Sequence, residues 1–264
     1  MTEPNATRNV VVKSSETEVA RYIAARVKEI TNHSVTERGA CRLALAGGTT
    51  PYALYHLLGS EGLKGDIPWQ QVDVFFGDER DVPQDHIDSI QEAIDAGYYL
   101  MVQRTLLDRV PIVPDRVHPM PADASDLQQA AGEYERRIRE VVPAGPNGVP
   151  MFDLILLGLG SDGHTASLFP ENDVIREGQR LVVAYHVPAL GRSRMSFTYP
   201  LINAARHIIM MVTGEDKAEA VRRLLQDSPD AWHIPAAGVV PYNNGELTLV
   251  LDALAARNTG MLPG

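Results

Sequence analysis

Apolar residues fall along the chain in two alternating rhythms. Residues 9–13 (NVVVK) are a short apolar run, and Val19, Ile23, Val27 and Ile30 then recur at helical spacing, which predicts a strand followed by a helix over 16–30. The unit repeats as a strand at 42–46 with a helix at 51–58. It repeats again as a strand at 72–76 with, after a polar loop, a helical stretch over 90–107. Such alternation predicts a parallel sheet covered by helices on both faces.

A helix near 124–142 precedes the turn-rich segment 143–150 (PAGPNGVP). Residues 152–157 (FDLILL) are almost unbroken in their apolarity, as a strand in the middle of a sheet requires, so 143–150 reads as a surface loop and not as a linker. Strands are expected at 181–187, 195–199 and 207–213, with 196–199 as an antiparallel edge. A helix from 215 to about 225 and a last strand at 247–251, leading into 252–257, complete the order. No internal repeat or low-complexity tract interrupts it. The expectation is one α/β domain spanning 1–264 with a mixed, mainly parallel sheet.

Composition narrows the function classes. Hydrophobic residues at 44% and charged residues at 22% of 264 positions are ordinary globular values. Twenty-four Lys plus Arg against 34 Asp plus Glu give a formal charge of −10, which repels a nucleic-acid backbone, and no basic face compensates. The first residues hold no apolar signal core and no stretch approaches roughly 18 apolar residues, so neither secretion nor a membrane partner is expected. Cys41 is the sole cysteine, which fits a reducing, cytoplasmic compartment and a role in packing.

In open α/β sheets ligands sit beyond the carboxyl ends of strands, and three loops there carry unusual residues. Ala46-Gly47-Gly48-Thr49-Thr50-Pro51 allows close backbone approach, with Thr50 as a helix N-cap and Pro51 in the first turn, an arrangement suited to a phosphate or simply to a tight capped turn. It lacks the lysine and spacing of a nucleoside-triphosphate loop. Phe76-Gly77-Asp78-Glu79-Arg80-Asp81 sets carboxylates and a guanidinium directly after a strand. Arg80 is suited to grip a phosphate or carboxylate, and Asp78 either to position a hydroxyl or to exchange a proton. The following 82–89 reads as a rigid loop in which Asp88 or Ser89 caps the next helix.

The third loop, Gly158-Leu-Gly160-Ser-Asp162-Gly163-His164, spells G-x-G-x-x-G, yet Pro170 interrupts the helix that a dinucleotide site needs. Ser161 lacks the glycine at 159 that a nucleophile elbow requires, since that residue is Leu159. The other histidines show no metal-ligand spacing, so neither a metal nor a cofactor is expected. What remains is an Asp-Gly-His turn, and a histidine held at a strand terminus is the leading candidate for general acid–base work near neutral pH.

At these residues the sequence resembles the 6-phosphogluconolactonases of the pentose phosphate pathway, within the wider group that shares a fold with glucosamine-6-phosphate deaminase/isomerase. The stretches that carry it are LALAGGTTP, VDVFFGDERDVPQDHIDS, FDLILLGLGSDGHTASLFP, RMSFTYPLINAARHIIMMVTGEDKAEAV and IPAAGVV. The resemblance implies a three-layer α/β/α sandwich and hydrolysis of 6-phospho-D-glucono-1,5-lactone. It implies His164 as general base with Asp162 or Asp78 orienting it or a substrate hydroxyl. Gly47, Gly48, Thr49, Thr50 and Lys217 are implied as the phosphate cradle, Gly163 as part of the turn, and Arg80 and Arg194 as further anion contacts.

The deaminases of the group continue from the same turn into a run whose glutamate supports the histidine. Here the chain reads Thr165-Ala-Ser-Leu-Phe-Pro170, with Phe169 at the glutamate's place, which favours the lactonase. Departures from the lactonase pattern are Ile90 for Asn, Thr49 for Ser, Glu171 for Gly, and a shortened Gly191-Arg-Ser-Arg194 stretch that leaves open whether Arg192 or Arg194 reaches substrate. The alternatives are a deaminase/isomerase of amino-sugar phosphates and a catalytically silent sugar-phosphate sensor. The partner is a small phosphorylated sugar lactone, and the chain is expected as a monomer or small homo-oligomer.

Overall fold

The computed structural model describes residues 7–81, 97–226, 229–242 and 244–264. In chain order, β1 (Thr7–Lys13) leads into α1 (Glu16–Arg38), β2 (Cys41–Leu45) into α2 (Tyr52–Leu58), and β3 (Val72–Phe76) into β4 (Asp78–Arg80). Then come α3 (Tyr98–Thr105), β5 (Val117–His118), α4 (Leu127–Val141), β6 (Leu154–Gly158), β7 (Val182–Val187) and β8 (Arg192–Phe197). The order closes with α5 (Tyr199–Ile202), β9 (His207–Val212), α6 (Ala218–Leu224), β10 (Glu246–Asp252) and α7 (Ala253–Ala256).

Seven strands form one sheet in the order β1-β10-β9-β6-β2-β3-β5, and every pairing in it is parallel. The expected mixed sheet is in fact two sheets. The antiparallel part is a separate three-stranded sheet, β4-β8-β7. Residues 196–199 are therefore not an edge: β8 is the middle strand of the small sheet, and after Thr198 the chain turns into α5.

The Asp-Glu-Arg segment expected as a loop is β4, paired Asp78↔Ser196, Glu79↔Met195 and Arg80↔Arg194. Three charged residues give no alternation of apolar and polar positions, so only the partner strand reveals the ladder. Helix α1 runs on past residue 30 because buried Thr31 and Ser34 continue its core face in polar residue types. Ser15 caps its start by accepting from Glu18 N, and Gly39, at φ 75°, ends it. The stretch 90–107 is borne out only as α3 and the short turn Leu107–Arg109 after it. Its first part, with 82–89 and the expected caps Asp88 and Ser89, lies outside the described residues.

All five residues of β3 are buried, as are most of β2, β6 and β9, so the sheet is covered on both faces. Helix α1 packs on β1, β2 and β10 and against α2, while α4 packs on β7. The two sheets share one core: Phe152 meets Phe75 edge-on at 5.3 Å and Phe197 of β8 at 5.5 Å. Cys41 is wholly buried in β2, and burial pushes its thiol up to about 12, which suits packing and not nucleophilic chemistry. Among the described residues no helix is long and apolar enough to cross a membrane.

Candidate active site

Strand order reverses between β2 and β6, and there the loops leaving β9, β6, β2 and β3 converge. They enclose a cleft of about 280 Å³. Of the residues singled out in the sequence, Gly47, Gly48, Thr49, Thr50, Asp78, Arg80, His164 and Lys217 all line it. Asp162 and Gly163 stand behind the histidine, and Arg194 is outside the wall.

The glycine loop follows β2. Gly48 has φ 94°, a conformation that favours glycine, and nothing lies within 4 Å of where a Cβ would be. Among the described residues the amides of Gly48, Thr49 and Thr50 donate no hydrogen bond, so three N–H groups stand along this side of the cleft. Thr50 is not the helix cap: the cap position of α2 is Pro51, and no side chain bonds there. The chain already turns at Thr49, whose carbonyl accepts from Tyr52 N at 3.2 Å, so the cap falls one residue later than the sequence suggests. Lys217 enters from the turn after β9, its Nζ 3.0 Å from Asp216 Oδ2 and its side chain 22% exposed.

The loop after β6 holds the imidazole. Asp162 Oδ1 lies 2.6 Å from His164 Nδ1 and also accepts from His164 N at 3.0 Å. Burial raises the Asp162 carboxyl, but hydrogen bonds from the His164 ring and amide outweigh it and hold the group below its ordinary value. A carboxylate on Nδ1 keeps the proton there and leaves Nε2 as the basic nitrogen. Gly163, at φ 95°, makes the bend that brings the pair together, and its carbonyl accepts from Ala236 N at 3.0 Å. Phe169 covers the imidazole at a ring-centroid distance of 4.5 Å.

On the third side β4 presents Asp78 and Arg80. Asp78 is 5% exposed, and Ser167 Oγ donates to its Oδ2 at 2.7 Å. Burial drives its carboxyl up, against that hydrogen bond and the influence of His164, Arg80 and Arg194. Arg194 lies opposite Arg80 in the β4–β8 register, 8% exposed, with Nη1 donating to Ser193 O. It stands outside the cleft wall, and its charge favours the ionised form of Asp78. Arg192, the other candidate, is exposed on the same strand and is not in the cleft wall.

Three site residues have roles that the sequence does not assign. Gly160 is one: a Cβ there would stand 2.1 Å from His164 Nδ1. Ser167 is another, tying the histidine loop to Asp78. The third is Tyr98, which lines the cleft from α3. Only the pair of tyrosines after Gly97 signals it, and nothing in that pair tells which ring faces a ligand.

Comparison with known proteins fits this geometry. The family model for glucosamine-6-phosphate isomerases/6-phosphogluconolactonase matches residues 14–249. A 6-phosphogluconolactonase of Synechocystis sp. is 40% identical over 225 residues, covering 85% of this chain and 87% of that protein. One from Streptomyces coelicolor is 36% identical over 257 residues, covering 95% and 94%. The solved structure of 6-phosphogluconolactonase from Trypanosoma brucei superposes with a TM-score of 0.80 at 26% identity, over 98% of this chain and all of that one. With its three-layer α/β/α architecture and this match over most of its length, the chain belongs to the glucosamine-6-phosphate isomerase/6-phosphogluconolactonase family.

Proposed function

We propose that the protein hydrolyses 6-phospho-D-glucono-1,5-lactone to 6-phospho-D-gluconate, the lactone-opening step of the oxidative pentose phosphate pathway. One observation carries this reading: an imidazole oriented by Asp162 shares a single small cleft with Lys217, Arg80 and three backbone amides that donate to no group among the described residues. The amides of Gly48, Thr49 and Thr50 with Lys217 take the phosphate of the substrate. Its ester carbon then faces His164. Nε2 removes a proton from a water as the water oxygen bonds to the lactone carbonyl carbon. The tetrahedral intermediate collapses by breaking the bond to the ring oxygen, which receives the proton back from the imidazole. No covalent bond to the enzyme forms. Arg80 or a loop amide offsets the charge that builds on the carbonyl oxygen.

The deaminase reading is disfavoured by Phe169, which lies on the imidazole where that chemistry places a glutamate. The test follows disappearance of fresh lactone against a buffer blank, with glucosamine 6-phosphate offered in parallel. Acceleration of lactone opening without ammonia release is expected. His164→Ala is expected to keep 6-phosphogluconate binding and to lose roughly 10²–10⁴-fold in kcat. Ammonia from the amino sugar, or an unchanged kcat in the variant, overturns the reading.

A further inference from the structure

Glu79 follows the cleft carboxylate Asp78 by one residue, yet its side chain is 1% exposed and takes no part in the cleft wall. Its Oε1 accepts from Tyr98 N at 2.7 Å and Arg80 N at 2.9 Å, and its Oε2 accepts from Tyr99 N at 2.8 Å. Two of those donors are the opening amides of α3, whose own cap residue, Gly97, supplies no side-chain hydrogen bond. Unpaired amides at a helix start need acceptors, and a carboxylate there also complements the helix dipole. A strand residue 19 positions earlier therefore caps the helix that carries Tyr98. Gly97 leaves room for it, since a Cβ at that position would lie 3.3 Å from Glu79 Oε1.

Tyr98 is in the wall of the cleft. Its ring packs so closely on the glycine loop that a Cβ at Gly47 would stand 1.7 Å from the ring Cγ. The Arg80 guanidinium also lies over the same ring, 4.7 Å from its centroid. The glycine loop, at Gly47, and the guanidinium thus share one aromatic contact, and that contact is held in place by a carboxylate outside the cleft wall. Burial pushes the Glu79 carboxyl up to about 7 in spite of the three amides donated to it. A capping side chain at position 97 would satisfy the helix without burying a charge, so helix capping alone does not account for Glu79.

We propose that Glu79 is a positioning residue that acts through Tyr98: by fixing the first turn of α3 it seats the ring against both Gly47 and Arg80, and so sets the spacing of the groups that grip the phosphorylated end of the substrate. This rests on the placement of the phosphate at the glycine loop given above. Glu79→Gln keeps the side-chain shape but turns one acceptor oxygen into a donor facing an amide. Tyr98→Leu removes the ring and leaves Glu79 untouched.

The two single variants and the double variant are compared by KM and kcat on fresh lactone, and by titration calorimetry with 6-phosphogluconate. Each single variant is expected to raise KM and the 6-phosphogluconate Kd by about 10-fold with kcat within about 3-fold. The double variant is expected to bind no more weakly than Tyr98→Leu alone, because the two residues act along one path. Penalties that add in the double variant overturn the proposal, as does a Glu79→Gln protein that loses kcat or folded fraction while KM and Kd stay put. Should Glu79→Gln fail to fold, Glu79→Asp, which withdraws the carboxylate by one methylene, is expected to show the same split. If the wild type opens lactone no faster than the blank, the functional reading fails, and the calorimetric comparison still decides the role of Glu79.

Discussion

Asp162 and His164 stand two positions apart, and the bend at Gly163 lets one carboxylate oxygen meet both the ring Nδ1 and the amide of the same histidine. The ring is thereby fixed in orientation and in tautomer. Asp162→Asn keeps the side-chain shape and removes the charge that would favour the imidazolium of the proposed proton transfer. It is expected to lower kcat roughly 10–100-fold with KM within about 3-fold, measured on fresh lactone. Stability follows the same group. The Asp162 carboxyl titrates below its ordinary value of 3.8 in the folded chain, so the ionised form contributes stability. That contribution is complete above the unfolded value and is lost as pH falls through the lower folded one. Because the side chain is 49% exposed, solvent screening keeps the contribution below about 1 kcal/mol. Wild type and Asp162→Asn should therefore differ slightly in unfolding free energy at neutral pH and converge in acid. Divergence on acidification would contradict the assigned direction.

At the scale of elements, the turn after β6 has no room to spare. A Cβ at Gly160 would stand 2.1 Å from His164 Nδ1 and 2.6 Å from Asp162 Oδ1, so the imidazole and its carboxylate must both move to admit even one methyl group. Gly160→Ala is expected to lower kcat about 100-fold, near the level of losing the histidine, while thermal unfolding shifts by only a few degrees. An active variant with an unmoved ring would show that the loop has slack. The histidine turn and the glycine loop were legible in the sequence because each follows a strongly apolar strand, and a glycine there has few purposes. β4 was not legible, since three charged residues form a strand only by pairing with β8. β5 was missed because two residues carry no period. The extra turns of α1 were hidden by Thr31 and Ser34, polar residue types in core positions. The surroundings of Arg194 were hidden for a related reason: it pairs with Arg80 across β4 and β8, and register belongs to a pair of strands, which no single segment reveals.

The whole molecule brings together, at the carboxyl ends of four neighbouring strands, groups drawn from positions 47 to 217 of the chain. It does so in a protein with a formal charge of −10, which repels a phosphorylated substrate at long range, while Lys217 and Arg80 set positive charge in the cleft wall, where the proposed function has them attract it at short range. The two fields respond differently to salt. The Debye length is about 30 Å at 0.01 M and about 8 Å at 0.15 M, so added salt removes the distant repulsion first and leaves the contacts inside the cleft largely intact. KM for the lactone is therefore expected to fall about 2-fold between those ionic strengths. Lys217→Ala is expected to raise KM roughly 10-fold at both, with the salt trend keeping its sign, because the repulsion comes from the rest of the surface. A KM that climbs steadily with salt in the wild type would mean that the cations of the cleft dominate at long range as well, and that the net charge has no part in substrate capture.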